Sequence, residues 1–293
     1  MPASADSKWH IGVIGGSGLT AGLALDGAQE IEVASPFGLP SAAVTTGTLA
    51  GVRFTFLPRH GAGHAIPPSD INYRANIDVL KRCGVTDLIA LSAIGSLSSA
   101  LAPGDFVAVD QFIDRTTARV GSFFGPGLVA HVSLADPVCP RLRTGLVAAV
   151  RAEDALVHDS GCYVAIKGPQ FSTRAESRLY QSWGGDVIGM TGMPEARLAR
   201  EAELPYALLG MVTDYDSWRA DDAGVEAINV IAVMQRSAAL ARRVVERLAA
   251  SLPGSRSPSP IDRALDGAIM TAPDARDPAL VAQLQAVAGR VLK

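Results

Sequence analysis

The sequence predicts an α/β fold in which a β-sheet is covered by helices on both faces. Two observations carry that expectation. Short apolar runs alternate with stretches of helical spacing along most of the 293 residues. Nearly all those runs are apolar at every position rather than at every second one, the mark of strands buried on both sides.

The elements follow in order. His10-Ile-Gly-Val-Ile14 is a strand that turns into the glycine-rich segment Gly15-Gly16-Ser17-Gly18-Leu19. Residues 53–58 alternate like a strand and stop at Pro58, with Arg59-His60-Gly61 next. Residues 72–84 have helical spacing and end on Gly84, a capping glycine. Asp87–Leu91 is a strand followed by Ser92-Ala93-Ile94-Gly95-Ser96, and Asp105–Val109 is another. A helix over 140–153 precedes a strand over 161–166, which leads into Gly168-Pro169-Gln170-Phe171. A helix over 174–183, a short strand over 187–190 and a helix over 196–202 come next. The strand Ala207–Val212 ends in Thr213-Asp214-Tyr215-Asp216, and a long helix occupies 223–251. Gly254 to Pro260 reads as a flexible spacer, and Leu280, Val281, Leu284, Val287 and Val291 give the tail a helical period suited to docking on a neighbouring surface. The expected division is a domain over 8–252 followed by a spacer and helical tail over 253–293.

Composition narrows the function. A net charge of −3 with no basic block speaks against a nucleic-acid surface. No apolar run is long enough to span a membrane, and the first residues lack a signal peptide's basic and apolar regions. Cys83, Cys139 and Cys162 are too few and scattered for a disulfide framework or a zinc cluster, so the expected compartment is the reducing cytoplasm.

The chemistry sits where strands end, as ligands do in α/β proteins. Asp214 and Asp216 close a buried strand one residue apart, and alternation along an extended backbone would send both to one side. They can accept hydrogen bonds from a base or hold a metal; they can equally be a solvated turn capping the next helix. The glycine-rich segment is neither a P-loop nor a dinucleotide fingerprint nor a nucleophile elbow, and its spacing argues against a nicotinamide-dependent dehydrogenase. It can offer N–H groups and the Ser17 hydroxyl to an anion, or be a plain turn. Arg59 supplies a planar fork of donors for phosphate oxygens. With His60, Ser92, Ala93 and Thr191 it makes an oxyanion cradle free of carboxylates. Glycines between His60 and His64 argue against a helical metal pair. Phe171 and Met190 are ordinary core, or a face for a flat base and a floor for a sugar.

Several ordered motifs resemble the trimeric purine nucleoside phosphorylase family: Gly-Gly-Ser-Gly-Leu (15–19), Pro-Arg-His-Gly (58–61), Pro68 with Asn-Tyr-Arg-Ala-Asn (72–76), Ser-Ala-Ile-Gly-Ser-Leu (92–97), Pro-Gly-Asp-Phe-Val (103–107), Gly-Pro-Gln-Phe-Ser-Thr-Arg-Ala-Glu (168–176) and Met-Thr-Gly-Met-Pro-Glu (190–195). Gln-Phe-Ile-Asp-Arg-Thr (111–116) and Thr-Asp-Tyr-Asp-Ser-Trp (213–218) are similar to its methylthioadenosine phosphorylase branch, and the likeness runs in register from about residue 10 to about 250. It implies a single domain with a central mixed β-sheet flanked by helices on both faces. It also implies a pentosyltransferase of purine and methionine salvage that converts 5′-methylthioadenosine and inorganic phosphate to adenine and 5-methylthioribose 1-phosphate. Inorganic phosphate is then the co-substrate, with no metal and no cofactor, in a homotrimer. By position, Ser17, Arg59, His60, Ser92, Ala93 and Thr191 would hold phosphate and Met190 the ribose. Phe171, Ser172, Asp214 and Asp216 would surround the purine, with Asp214, Asp216 and His60 the catalytic groups. His131 would reach a neighbouring subunit's site, and Ala227, Val230 and Ile231 would line the 5′ pocket. Two departures stand out: Ser17 and Ser92 where the branch has threonine. Met-Thr-Gly-Met-Pro is closer to members acting on 6-oxopurine methylthio-nucleosides, which lack the Asp-x-Asp pair; the acidic pair therefore favours a 6-aminopurine. Other purine nucleosides remain the alternative substrates, and a non-catalytic nucleoside-binding protein is the alternative outside enzymes.

Overall fold

The structure, a computed structural model, describes residues 8–16, 24–219, 225 and 227–292. Ser17 and most of the segment read as the start of the long helix lie outside them. The chain opens with β1 (His10–Gly15), β2 (Asp26–Ile31), β3 (Val44–Leu49) and β4 (Val52–Pro58), then α1 (Tyr73–Arg82). Next come β5 (Asp87–Ser96), β6 (Phe106–Ala108), β7 (Gln111–Asp114), α2 (Pro140–Arg151), β8 (Val157–His158) and β9 (Cys162–Ala165). The last third holds α3 (Arg174–Ser182), β10 (Val187–Gly189), α4 (Gly192–Glu201), β11 (Tyr206–Asp214) and α5 (Ala227–Ser251), with α6 (Pro278–Gln283) and α7 (Gln285–Ala288) in the tail.

All eleven strands among the described residues form one mixed sheet. Its centre is β5, which runs parallel to β1 on one side and β11 on the other and then pairs antiparallel with β10 through Gly95 and Ser96. The segment from Ser92, expected to follow the strand, is therefore its second half. Hydrogen bonding to β11 as far as Gly95 keeps it extended although its residues are small.

Period-two packing explains the unbroken apolar runs. Leu88 and Ala90 of β5 and Tyr206 and Leu208 of β11 point into one core, which α1, α4 and the tail close. Ile89, Leu91, Ala207 and Leu209 point into the other, closed by Leu142 and Leu146 of α2 and Val244, Val245 and Leu248 of α5. Phe54, Thr55, Phe56 and Leu57 are likewise all buried, so the run over 53–58 serves both faces rather than alternating. The strands that sequence reasoning missed, β2, β3, β7 and β8, are polar, edge-placed or short. Every residue of β2 is exposed at the sheet's margin. α1 is capped by the Asn72 side chain accepting from Ala75 N at 3.1 Å, and Gly84 takes the left-handed φ of 83° that ends it.

The tail is sewn to the sheet. Leu284, Val287, Ala288 and Leu292 belong to the first core. The segment expected to be a loose spacer is held by Arg256, which bonds Asp87, the Thr86 carbonyl at 3.2 Å and Asp262 at 2.6 Å. Asp87 opens β5 and is completely buried. Arg141 also pairs with Asp87, so removing Arg256 would take away one of that carboxylate's two arginine partners, a loss of about 1.5–3 kcal/mol. Arg256→Ala should lower the unfolding free energy by about that amount in urea denaturation; a loss under about 1 kcal/mol, the scale of a surface pair, would contradict this reading of the tail.

Candidate functional site

The candidate site lies at the carboxyl ends of parallel strands β1, β4, β5 and β11. Ser92 Oγ stands 3.5 Å from Thr191 Oγ1, and both residues are buried. Ala93 is the one half-buried residue of β5. Thr191 is fixed from behind, its N–H donating to the Tyr163 hydroxyl at 3.2 Å.

Arg59 is 1% exposed. Its Nε and Nη2 donate to the two Glu195 carboxylate oxygens at 2.8 and 3.0 Å, Nη2 also to Ile14 O at 3.3 Å, and Nη1 to Leu91 O at 3.2 Å. The fork expected to clasp phosphate is thus engaged by Glu195, and a carboxylate does stand in the cradle expected to lack one. The physical reason is burial: a guanidinium this far from water needs a counter-charge. Burial works against the Arg59 charge, and the charge and hydrogen bonds of Glu195 outweigh it and raise its pKa. Tyr206 adds an O–H donation to Glu195 Oε1 at 3.0 Å.

His60 follows on the β4 exit. Its Nδ1 lies 2.9 Å from the Ile66 carbonyl, which can only accept, so Nδ1 carries the hydrogen and Nε2 is left as an acceptor. Its ring stacks on His64 at 4.1 Å. Burial, then the Arg59 charge, push its pKa down to about 4, so the ring is neutral at pH 7.

The acidic pair borders this cradle in register, Asp214 opposite Gly95, three residues beyond Ser92. A shift in strand register between Val212 and Asp214 re-aims the chain there. Asp214 accepts from the Thr213 hydroxyl at 2.7 Å and from Asp216 N at 2.8 Å. A Cβ on Gly95 would come within 2.8 Å of Asp214 Oδ1, so glycine is what lets the carboxylate lie against β5. Asp216 departs from the expected alternation. It has the left-handed φ of 48°, past the strand end, and its carboxylate is buried against the Ser177 hydroxyl at 2.6 Å. Burial raises the Asp216 pKa against the opposing Ser177, Ser217 and Ser172 hydrogen bonds. Burial is therefore the leading cause. Ser172 is buried beside Asp216, yet its hydroxyl makes no hydrogen bond of regular geometry.

Phe171, 41% exposed, precedes it on the loop from β9 to α3. Met190 packs across Gly168, where a Cβ would meet its sulfur at 2.3 Å, and so joins the Phe171 loop to the Thr191 loop. Arg119, which sequence reasoning did not single out, ties the same loops through Met190 O at 2.6 Å, Met193 O at 2.8 Å and Lys167 O at 2.8 Å. No local pattern announces Arg119. Glu195 had a signal: an acid four residues beyond Thr191, amid the apolar Met193, Pro194 and Ala196. Val230 is half-buried and Ile231 exposed on the first turns of α5, which Ala227 opens. His131 is exposed, and its N–H donates to Ala268 O in the tail rather than to the strand-end cluster.

A family model described as the phosphorylase superfamily matches residues 10–250. The chain is 56% identical to the S-methyl-5′-thioadenosine phosphorylase of Bradyrhizobium diazoefficiens over 285 residues, 97% of this chain and 98% of that one. It is 56% identical to that of Cereibacter sphaeroides over 288 residues, 98% and 99% of the two chains. Among solved structures, it is similar to a methylthioadenosine phosphorylase from an Antarctic soil metagenomic library, with TM-score 0.90, 42% identity and 97% and 99% of the chains covered. The Schistosoma mansoni methylthioadenosine phosphorylase in complex with adenine gives TM-score 0.78 and 38% identity, covering 83% and 91%.

The depressed His60 pKa has a consequence for stability. Between pH 6.5 and about 4 the unfolded chain takes up a proton at His60 that the folded chain refuses, so the stability present above pH 6.5 is lost as pH falls. The stability gap between wild type and His60→Gln should therefore be constant above pH 6.5 and shift against the wild type below it. A gap unchanged down to pH 4.5 in parallel denaturation curves would contradict the assignment.

Proposed function

The chain belongs to the phosphorylase superfamily, and we propose that it catalyses phosphorolysis of 5′-methylthioadenosine, giving adenine and 5-methylthioribose 1-phosphate. The observation that carries this reading is the placement of two unlike groups along one strand. The backbone of Ser92, at the hydroxyl cradle, and that of Gly95, opposite which Asp214 lies, are about 10 Å apart along β5. That separation suits an anion beneath a sugar whose purine reaches the acids.

In this reading Ser92, Thr191, the Ala93 backbone, His60 and one Arg59 N–H hold phosphate below C1′, and Ser17 joins them. A phosphate oxygen bonds to C1′ as the C1′–N9 bond breaks, its electron pair leaving with the base. Phosphate fixed beneath the sugar stabilises the cationic transition state and serves as nucleophile. Asp214 in its protonated form donates to N7, the proton leaves with the base, and solvent returns one to the carboxylate before the next turnover. Asp216, with Ser172, accepts from the 6-amino group, and a 6-oxo group would meet repulsion there. Phe171 stacks on the purine and Met190 lies under the ribose. Val230 and Ile231 with Ala227 receive the methylthio group, and His131 of a neighbouring copy closes that pocket in a homotrimer. Inorganic phosphate is the co-substrate and no cofactor takes part. The domain at 8–252 carries the reaction. Among the described residues no helix is long and apolar enough to cross a membrane, and the proposed compartment is the cytoplasm.

The test is a panel of methylthioadenosine, adenosine, inosine and methylthioinosine, each with and without phosphate. Adenine should form from methylthioadenosine only with phosphate. Asp214→Asn should cost roughly 10²-fold or more in kcat and favour 6-oxopurines in relative terms. Free methylthioribose at an undiminished rate without phosphate, or a wild type that prefers inosine, would contradict the reading.

A further inference from the structure

We propose that Glu195 is a positioning residue for phosphate. Its bidentate pair locks the Arg59 guanidinium against the ends of β1 and β5, leaves a single N–H on Nη1 for the anion, and offsets the arginine's charge. The proposal rests on the Ser92–Thr191 cradle being the phosphate site.

Arginine has N–H groups on Nε, Nη1 and Nη2. Among the described residues, Nε–H and both hydrogens of Nη2 are taken by Glu195 and Ile14 O, and one hydrogen of Nη1 by Leu91 O. Both side chains of the pair are 2% exposed, so water does not compete for these bonds. Leu91 adjoins Ser92, and Glu195 lies four residues beyond Thr191, at the start of α4's regular helix. The pair thus ties together the two chain segments that carry the cradle's hydroxyls, and one Nη1 hydrogen is left over beside them for the anion in this proposal.

The charge balance follows. Arg59 and Glu195 cancel, and His60 is neutral at pH 7. The anion is then met by hydroxyls and single N–H groups rather than by a bare cation. A phosphate held this way keeps its nucleophilic electron density. An unpaired arginine would bind the ground-state dianion more tightly and so spend binding on the reactant rather than the transition state.

The test uses the full-length protein and reads the melting midpoint and the KM of each substrate as phosphate is titrated. Glu195→Gln keeps the shape and removes the charge, so phosphate becomes the counter-ion of Arg59. Its KM for phosphate should fall about tenfold, with lower kcat and a larger phosphate-induced rise in Tm than wild type. Glu195→Asp keeps the charge but is one methylene short of both bonds; its KM for phosphate should rise about tenfold. In both, the nucleoside KM should stay near wild type. A purely structural weld would lower Tm and leave the phosphate response at the wild-type value, and that result would overturn the proposal. If neither variant folds, Tyr206→Phe removes one donor to Glu195 from four residues below the Ser92 level of the sheet. It should raise the phosphate KM about threefold, and an unchanged value would overturn the proposal. A wild type whose Tm ignores phosphate refutes the cradle itself, an outcome distinct from variants that match a responsive wild type.

Discussion

The buried pair of Arg59 and Glu195 is the constraint around which the strand ends are arranged. A guanidinium cannot leave water without a counter-charge and acceptors for its remaining hydrogens. This one finds them on three elements at once: the Ile14 carbonyl of β1, the Leu91 carbonyl of β5 and a carboxylate from α4. Arg59 itself is placed by its own N–H donating to Gly15 O at 2.9 Å. Breaking one partner would cost about 3–5 kcal/mol, so the end of the sheet and the start of α4 cannot drift apart independently. The hydroxyls of Ser92 and Thr191 inherit that fixed relation.

β5 extends the same logic toward the second half of the site. Its first residues are clamped between β1 and β11, and its last pair crosses to β10. One continuous strand therefore carries the proposed anion cradle at Ser92 and Ala93 and, at Gly95, the place where Asp214 lies. The loops that cover this strand are tied to each other by Met190 across Gly168 and by Arg119 through backbone carbonyls. A rigid strand with polar groups three residues apart, under loops joined to one another, is what a two-part substrate needs. The chain belongs to the phosphorylase superfamily and is 56% identical to the S-methyl-5′-thioadenosine phosphorylase of Bradyrhizobium diazoefficiens.

The layered fold was legible because its strands are apolar at every position and its helices end at plain signals such as Gly84. Edge strands were not: β2, Asp-Gly-Ala-Gln-Glu-Ile, is wholly exposed and looks like a loop, because only pairing with β3 makes it extended. The strand-end residues Arg59, His60, Thr191 and Asp214 were legible through residue type and place. Their partners were not. The Arg59–Glu195 bond spans 136 positions and the Ser177–Asp216 bond 39, separations at which no local pattern forms. The conformation of Asp216 was misjudged for a similar reason, since alternation holds only while the backbone stays extended.

The central claim is that Arg59 meets phosphate with one hydrogen while its fork stays on Glu195. A crystal structure with phosphate bound tests it most directly. The account predicts the anion between Ser92 Oγ, Thr191 Oγ1 and Arg59 Nη1, at hydrogen-bond distances of about 2.7–3.1 Å, with both Glu195 contacts intact. Phosphate clasped by Nε and Nη2 of an Arg59 swung away from Glu195, or bound away from these hydroxyls, would contradict it.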